Sequence, residues 1–132
     1  MKVVLDTSVL IGGGWASLPG AEPAISAVSI AELHFGLLVA DAKTRAVRAN
    51  RLGLIEARFP EPLPLDDRVA RILGELQAAV AERGGQPRRR MADLAIAATA
   101  KAHDAVLLTT NARDFKLIDD LVAVRVPARK GR

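Results

Sequence analysis

Short apolar runs that stop abruptly at polar residues constrain this chain most. Lys2 to Leu5 is rich in valine and ends at Asp6, and Ala105 to Thr109 has the same character. Both read as buried strands. Ala24 to Ser26, Leu63 to Leu65 and Val122 to Val126 are further strand candidates. Between them lie segments of helical spacing. Thr7 to Ile11 begins a helix that Gly12-Gly13-Gly14 ends, and Pro19-Gly20 makes a turn. Ser29 to Ala40 carries a stripe of Ile30, Leu33, Leu37 and Leu38. Thr44 to Phe59 has Val47, Leu52, Ile55 and Phe59 as anchors, and the prolines at 60, 62 and 64 block its continuation. Asp66 or Asp67 caps the next helix, whose stripe runs from Val69 to Val80 and stops at Gly84-Gly85. The alanine-rich segment Ala92 to Ala102 suits a helix lying close against a sheet. Apolar strands separated by amphipathic helices predict an α/β fold: three layers, α/β/α, around a central, mostly parallel sheet.

With 132 residues, half of them hydrophobic, the chain is expected to form one domain over residues 1–127, followed by a basic tail at 128–132. The absence of cysteine excludes disulfides and thiolate zinc sites and fits a reducing cytoplasm. No stretch approaches the roughly 20 apolar residues that span a bilayer, so no membrane role is expected. The net charge of +4 conceals an uneven distribution if several acids share one pocket. A basic surface around an acidic pocket suits a polyanionic substrate. Aromatic residues are few, so nucleic-acid contacts would run through phosphates and not through base stacking.

The acids in question are Asp6, Glu32, Asp93 and Asp114. Each lies where a strand or loop hands over to a helix. In an open α/β sheet such points gather beyond the carboxyl ends of the strands. Carboxylates gathered there repel one another unless a cation sits among them, and hard divalent ions such as Mg2+ take oxygen ligands of this kind. Hydrolysis of a phosphodiester by metal-activated water is the chemistry such a site performs. Each acid also has a plainer role. Asp6 can cap the helix from Thr7, Ser29 to Glu32 matches a capping box, Asp93 complements a helix dipole, and Asn111 to Asp114 reads as a cap with a supporting acid. The joint pattern favours the metal site. If the first strand and the Ala105 to Thr109 strand are neighbours, Asp6 and Asp114 meet. Thr7, Ser8, Thr110 and Asn111 stand ready to orient carboxylates, whereas Thr109 is expected mainly to satisfy backbone groups at a strand end. Arg88, Arg89, Arg90, Arg113 and Lys116 are candidates to contact a substrate backbone. His34 and His103 do not form a metal pair by spacing.

Four segments carry a resemblance. Val4-Leu5-Asp6-Thr7-Ser8-Val9-Leu10-Ile11 resembles the opening of a PIN domain, and Ser29-Ile30-Ala31-Glu32-Leu33, with Gly36 beyond, its second-acid segment. Ala92-Asp93-Leu94-Ala95-Ile96-Ala97-Ala98-Thr99-Ala100 resembles the third-acid helix, and Thr109-Thr110-Asn111-Ala112-Arg113-Asp114-Phe115 the closing motif. Together they cover nearly the whole chain, which looks most like a VapC-type toxin of a toxin–antitoxin pair. The resemblance implies a Mg2+- or Mn2+-dependent ribonuclease with metal-site roles at Asp6, Glu32, Asp93 and Asp114, and lesser roles for Asn111 and Thr7. It also implies a homodimer and a cognate antitoxin. Two rivals remain: a non-catalytic module of the same fold, and a phosphoacceptor receiver domain. A receiver would need a lysine after its late strand, where this chain has Thr109-Thr110-Asn111.

Overall fold

A computed structural model describes residues 1–16 and 18–127. The basic tail expected at 128–132 lies outside the described residues. Four strands, β1 (Lys2–Leu5), β2 (Glu22–Ile25), β3 (Val106–Leu108) and β4 (Val124–Arg125), form one sheet in the order β2-β1-β3-β4. All three pairings are parallel. The helices are α1 (Thr7–Gly12), α2 (Ala27–Leu38), α3 (Ala42–Arg58), α4 (Asp67–Glu82) and α5 (Met91–Ala102), with 3-10 turns at Gly14–Ala16, Pro87–Arg90 and Ala112–Ile118. No helix among the described residues is long and apolar enough to cross a membrane.

The pleat of the strands divides the interior. Val4 and Leu107 face a core shared with Val69, Leu76, Val80, Ile96 and Phe115, which belongs to α4, α5 and the last 3-10 turn. Val3, Leu5 and Leu108 face the other side, with Val9, Leu10, Leu33, Leu52, Ile55 and Phe59 from α1, α2 and α3. Neighbouring residues of one strand point to opposite faces, so these short runs must be apolar throughout. The result is the expected three-layer arrangement. Trp15 closes the second core, its ring 5.7 Å from that of Phe59.

Helix ends follow local chemistry. Asp41 and Asp66 cap α3 and α4 by accepting from the amides of Thr44 and Val69, at 2.8 and 3.0 Å. Gly84, at φ +82°, ends α4 in a Schellman motif: its amide donates to Ala81, and that of Gly85 to Val80. Gly85 has no room for a side chain, because a Cβ there would lie 2.7 Å from both Leu117 and Val80.

Several boundaries differ from those the sequence predicts. Helix α2 starts at Ala27, because Ser26 supplies the cap by accepting from the Val28 amide at 3.0 Å. Ser29 is therefore inside the helix and cannot form a capping box with Glu32. The helix also ends earlier, at Leu38, and α3 starts earlier, at Ala42. Leu38 and Val47, expected in apolar stripes, face water. The Leu63 to Leu65 segment makes a single bridge, Ser26 to Leu63. Pro62 and Pro64 lack the amides that would extend a ladder. β4 is cut to two residues, in part because the Val122 amide donates back to Ile118. After β3 the chain makes only the 3-10 turn.

Ser26 is fully buried and is the cap of the helix that carries Glu32. Replacing a serine cap by alanine costs about 1 kcal/mol. Ser26→Ala is expected to lower the unfolding free energy by about that amount, read as a lower denaturant midpoint with an unchanged slope.

Candidate active site

The site is built where the strands end. The amide of Asp6 donates to the Leu108 carbonyl at 2.9 Å, which carries the parallel pairing of β1 and β3 one residue beyond the strands. That register sets Asp6 beside Thr109. Ser8 Oγ and Thr109 Oγ1 both donate to Asp6 Oδ2 at 2.8 Å, and the carboxylate is 5% exposed. The same hydroxyls close the turn after β3. Thr109 Oγ1 accepts from the Asn111 amide at 3.0 Å and Ser8 Oγ from the Thr110 amide at 3.1 Å. Asp6 occupies the cap position of α1 but makes no side-chain cap bond. Its hydrogen bonds go to hydroxyls instead.

Glu32 is reached from α1. Thr7 Oγ1 donates to Glu32 Oε1 at 2.7 Å and lies 2.9 Å from the buried Ser29 Oγ. Helix α2 is thereby fastened to the end of β1 by two hydroxyls and a carboxylate. Asp93 stands in the first turn of α5, a helix whose residues Leu94 to Ala100 are all buried. Asp114 stands in the Ala112–Ile118 turn, where Phe115 and Ile118 are buried. Arg83 holds the far end of that turn, donating to the Leu117 carbonyl at 2.6 Å and pairing with both oxygens of Asp120. Asn111 is at the cap position of the turn without a side-chain cap bond.

Asp93 feels the other three acids. The Asp93 carboxyl is pushed up to about 6, first by burial and then by the negative charges of Asp6, Glu32 and Asp114, against the pull of Arg90. Arg90 Nη1 lies 2.8 Å from Asp114 Oδ1 and 3.7 Å from Asp93 Oδ2. As their side chains are placed, no three acids or histidines among the described residues stand at the spacing of ligands around one ion. Three of the carboxylates are engaged elsewhere, Asp6 with Ser8 and Thr109, Glu32 with Thr7, and Asp114 with Arg90.

The expected basic residues divide. Arg89, Arg90, Arg113 and Lys116, with Gln86 and Asp114, line a cleft of about 390 Å3 between α4 and the last 3-10 turn. Arg88 is exposed and is not among the residues lining it. Arg90, expected to contact a substrate backbone, bridges two of the acids. Thr109 does more than a strand end requires, since it holds Asp6. It could have been found from the sequence, because it follows its strand as Asp6 follows the first. Ser29 was visible only as half of a capping box.

A carboxylate with a raised pKa favours the folded state when protonated. Asp93 therefore stabilises the fold fully below pH 3.8, and this contribution is lost as pH rises through about 6. The side chain is 27% exposed, and solvent screening limits the effect to about 1 kcal/mol. Without divalent metal, Asp93→Asn is expected to raise Tm by a few degrees at pH 7.5 and to leave it nearly unchanged at pH 4. Scanning calorimetry in EDTA across that pH range measures it, and an unchanged or lower Tm at pH 7.5 contradicts the repulsion.

Residues 3–121 match the PIN domain family. Over 130 residues the chain is 38% identical to Ribonuclease VapC5 of Mycobacterium tuberculosis, covering 93% of this chain and 92% of that protein. It is 30% identical to Ribonuclease VapC4 of the same organism, covering 95% and 97%. Its fold superposes on the crystal structure of VapBC-5, a member of the VapBC family of toxin-antitoxin systems from Mycobacterium tuberculosis. The TM-score is 0.79 at 35% identity, over 97% of this chain and 98% of that one. The sheet order, the sequence match across nearly the whole chain and the similarity to these ribonucleases agree: the chain belongs to the PIN-domain family, in its VapC-type branch.

Proposed function

We propose that the chain is the ribonuclease toxin of a toxin–antitoxin pair, and that Asp6, Glu32, Asp93 and Asp114 hold the divalent cation of its active site. The observation that carries this reading is the electrostatic cost at Asp93, half-buried against three other carboxylates. Of the four acids only Asp93 keeps the helix-dipole role open to it from sequence, and that role does not account for the other three. The PIN ribonucleases use divalent metal, and the chemistry of the donor set suits one, although the side chains as placed do not yet stand at ligand spacing. The donors are all carboxylate oxygens, which suit a hard ion such as Mg2+, with Mn2+ as the alternative. A cation also offsets the repulsion that raises Asp93.

A divalent ion held there would stabilise charge on a scissile phosphate and lower the pKa of the attacking water. The chain's own residues supply the rest. Asp6 would be the most firmly placed ligand, since Ser8 and Thr109 hold its carboxylate through Oδ2. Thr7 orients Glu32 through Oε1, and the Glu32 carboxylate would take the proton of the attacking water. In-line attack then expels the 3′ oxygen and leaves a 5′ phosphate. This route does not use a 2′-hydroxyl, so the assignment of RNA rests on the similarity to ribonucleases. The cleft lined by Arg89, Arg113 and Lys116 adjoins Asp114 and offers the phosphates of a single strand a path to the acids. Exposed Arg88 adds charge beside it. Phe35, Leu38, Val39, Val47 and Leu54 remain exposed on and around α2 and α3, Phe35 at 67%. Apolar side chains left in water in such number suit a protein partner, here the antitoxin or a second copy of the chain.

The decisive experiment compares RNA cleavage with Mg2+ by the wild type, Asp6→Asn and Asp93→Asn. Both variants keep shape and lose ligand charge, and both are expected to lose at least about 100-fold in rate with native circular dichroism. Thr109→Val removes the donor to Asp6 together with the acceptor of the Asn111 amide, and is expected to weaken metal affinity or activity by about 10-fold. Equal cleavage by wild type and both aspartate variants would refute the assignment.

The basic cleft has a separate signature. Arg113→Gln combined with Lys116→Gln is expected to weaken binding of single-stranded RNA. The slope of log affinity against log salt should flatten by about 0.7 for each phosphate no longer neutralised. A slope equal to that of the wild type places the RNA elsewhere.

A further inference from the structure

Arg90 occupies a place that helix energetics alone does not favour. It is the cap residue of α5, yet it makes no side-chain cap bond and its backbone is not in the extended conformation usual for a cap. Serine, threonine, aspartate or asparagine is the usual residue at such a position. A cation at this position also faces the positive end of the helix dipole. What offsets these costs is visible in the side chain. The guanidinium reaches forward to the first turn of α5 and lies 2.8 Å from Asp114 and 3.7 Å from Asp93. It thus joins two of the acids through one nitrogen and draws Asp114 toward itself.

We infer that Arg90 is an exchangeable counter-cation of the acidic site, displaced when a divalent ion binds, and then free to meet the substrate phosphates in the adjoining cleft. The inference rests on reading the four acids as a cation site. Asp114 cannot give the same oxygen to Arg90 and to a metal, so the two cations compete for it. The cleft already has Arg90 on its wall, together with Arg89, Arg113 and Lys116. A released guanidinium therefore has a solvated place to go, about 390 Å3 in volume. There its planar fork matches a phosphate in two hydrogen bonds. Exchange of this kind couples the two binding events. Metal entry adds a cation to the phosphate path, and without metal the guanidinium partly neutralises the acids.

The test is calorimetric titration of Mn2+ into metal-free wild type, Arg90→Gln and Arg68→Gln. The last removes the same charge from the exposed start of α4. Arg90→Gln is expected to bind Mn2+ roughly two- to fivefold more tightly, the range open to a half-exposed ion pair. In EDTA its Tm should fall below that of Arg68→Gln, and the rise in Tm on adding Mn2+ should be larger. Equal or weaker Mn2+ binding by Arg90→Gln, with normal binding by wild type, overturns the exchange and leaves the active-site assignment standing. Failure of wild type to bind Mn2+, or binding unchanged by Asp6→Asn, overturns both.

Discussion

The parallel pairing of β1 with β3 is the constraint on which the rest of this molecule depends. It is only three residues long, from Val3 opposite Val106 to Leu5 opposite Leu108. Its register continues one residue further, through the Asp6 amide and the Leu108 carbonyl. That continuation places a carboxylate from one end of the chain beside a hydroxyl from the other. A slip by one residue would turn Leu5 and Asp6 to the wrong faces. It would carry Leu5 from one core into the other and part Asp6 from the Thr109 hydroxyl. The two apolar layers therefore enforce the register, and the register positions the acid. Core packing and active-site geometry are here consequences of one ladder.

The site works against the stability that the cores supply. Burial and three like charges hold Asp93 away from its ordinary titration range. The molecule tolerates this because the repulsion is spread over elements that are separately anchored. Asp6 is held by two hydroxyls, Glu32 by Thr7, and the turn bearing Asp114 by Phe115, Ile118 and Arg83. None of these anchors needs the carboxylates to be close. The proximity is imposed by the fold, and Arg90 relieves part of it.

Much of this was legible in the sequence, for a physical reason. Strands buried on both faces must be apolar at every position, so Val3 to Leu5 and Ala105 to Leu108 announce themselves. Acids that follow such runs lie at the edge where a parallel sheet collects its ligands. The features that escaped depend on competition between neighbours. Ser29 read as the cap of α2 and Ser26 as the end of a strand, and only where β2 stops shows that Ser26 takes the cap. Leu38 and Val47 belong to amphipathic stripes that no partner covers in a single chain. Pro62 and Pro64 flank a residue that pairs well, so apolarity suggested a strand where missing amides allowed one bridge. Thr109 had two roles to choose from, and its part in holding Asp6 depends on a pairing 103 residues apart in sequence. Arg90 could not be placed because a run of three arginines does not say which one turns inward.

Helix α5 has one further implication. From Leu94 to Ala100 it is buried on every side, and small residues predominate among them. Alanine lets a helix settle deep between a sheet and its neighbours, but leaves no slack for larger side chains. Asp93 thus grows from an element that cannot drift, whereas Arg90 and Asp114 grow from single turns at its margin. The pocket has one immovable wall and one that can be remodelled. Heritable change in the range of substrates accepted should accumulate on the pliable side, sparing the alanine spine.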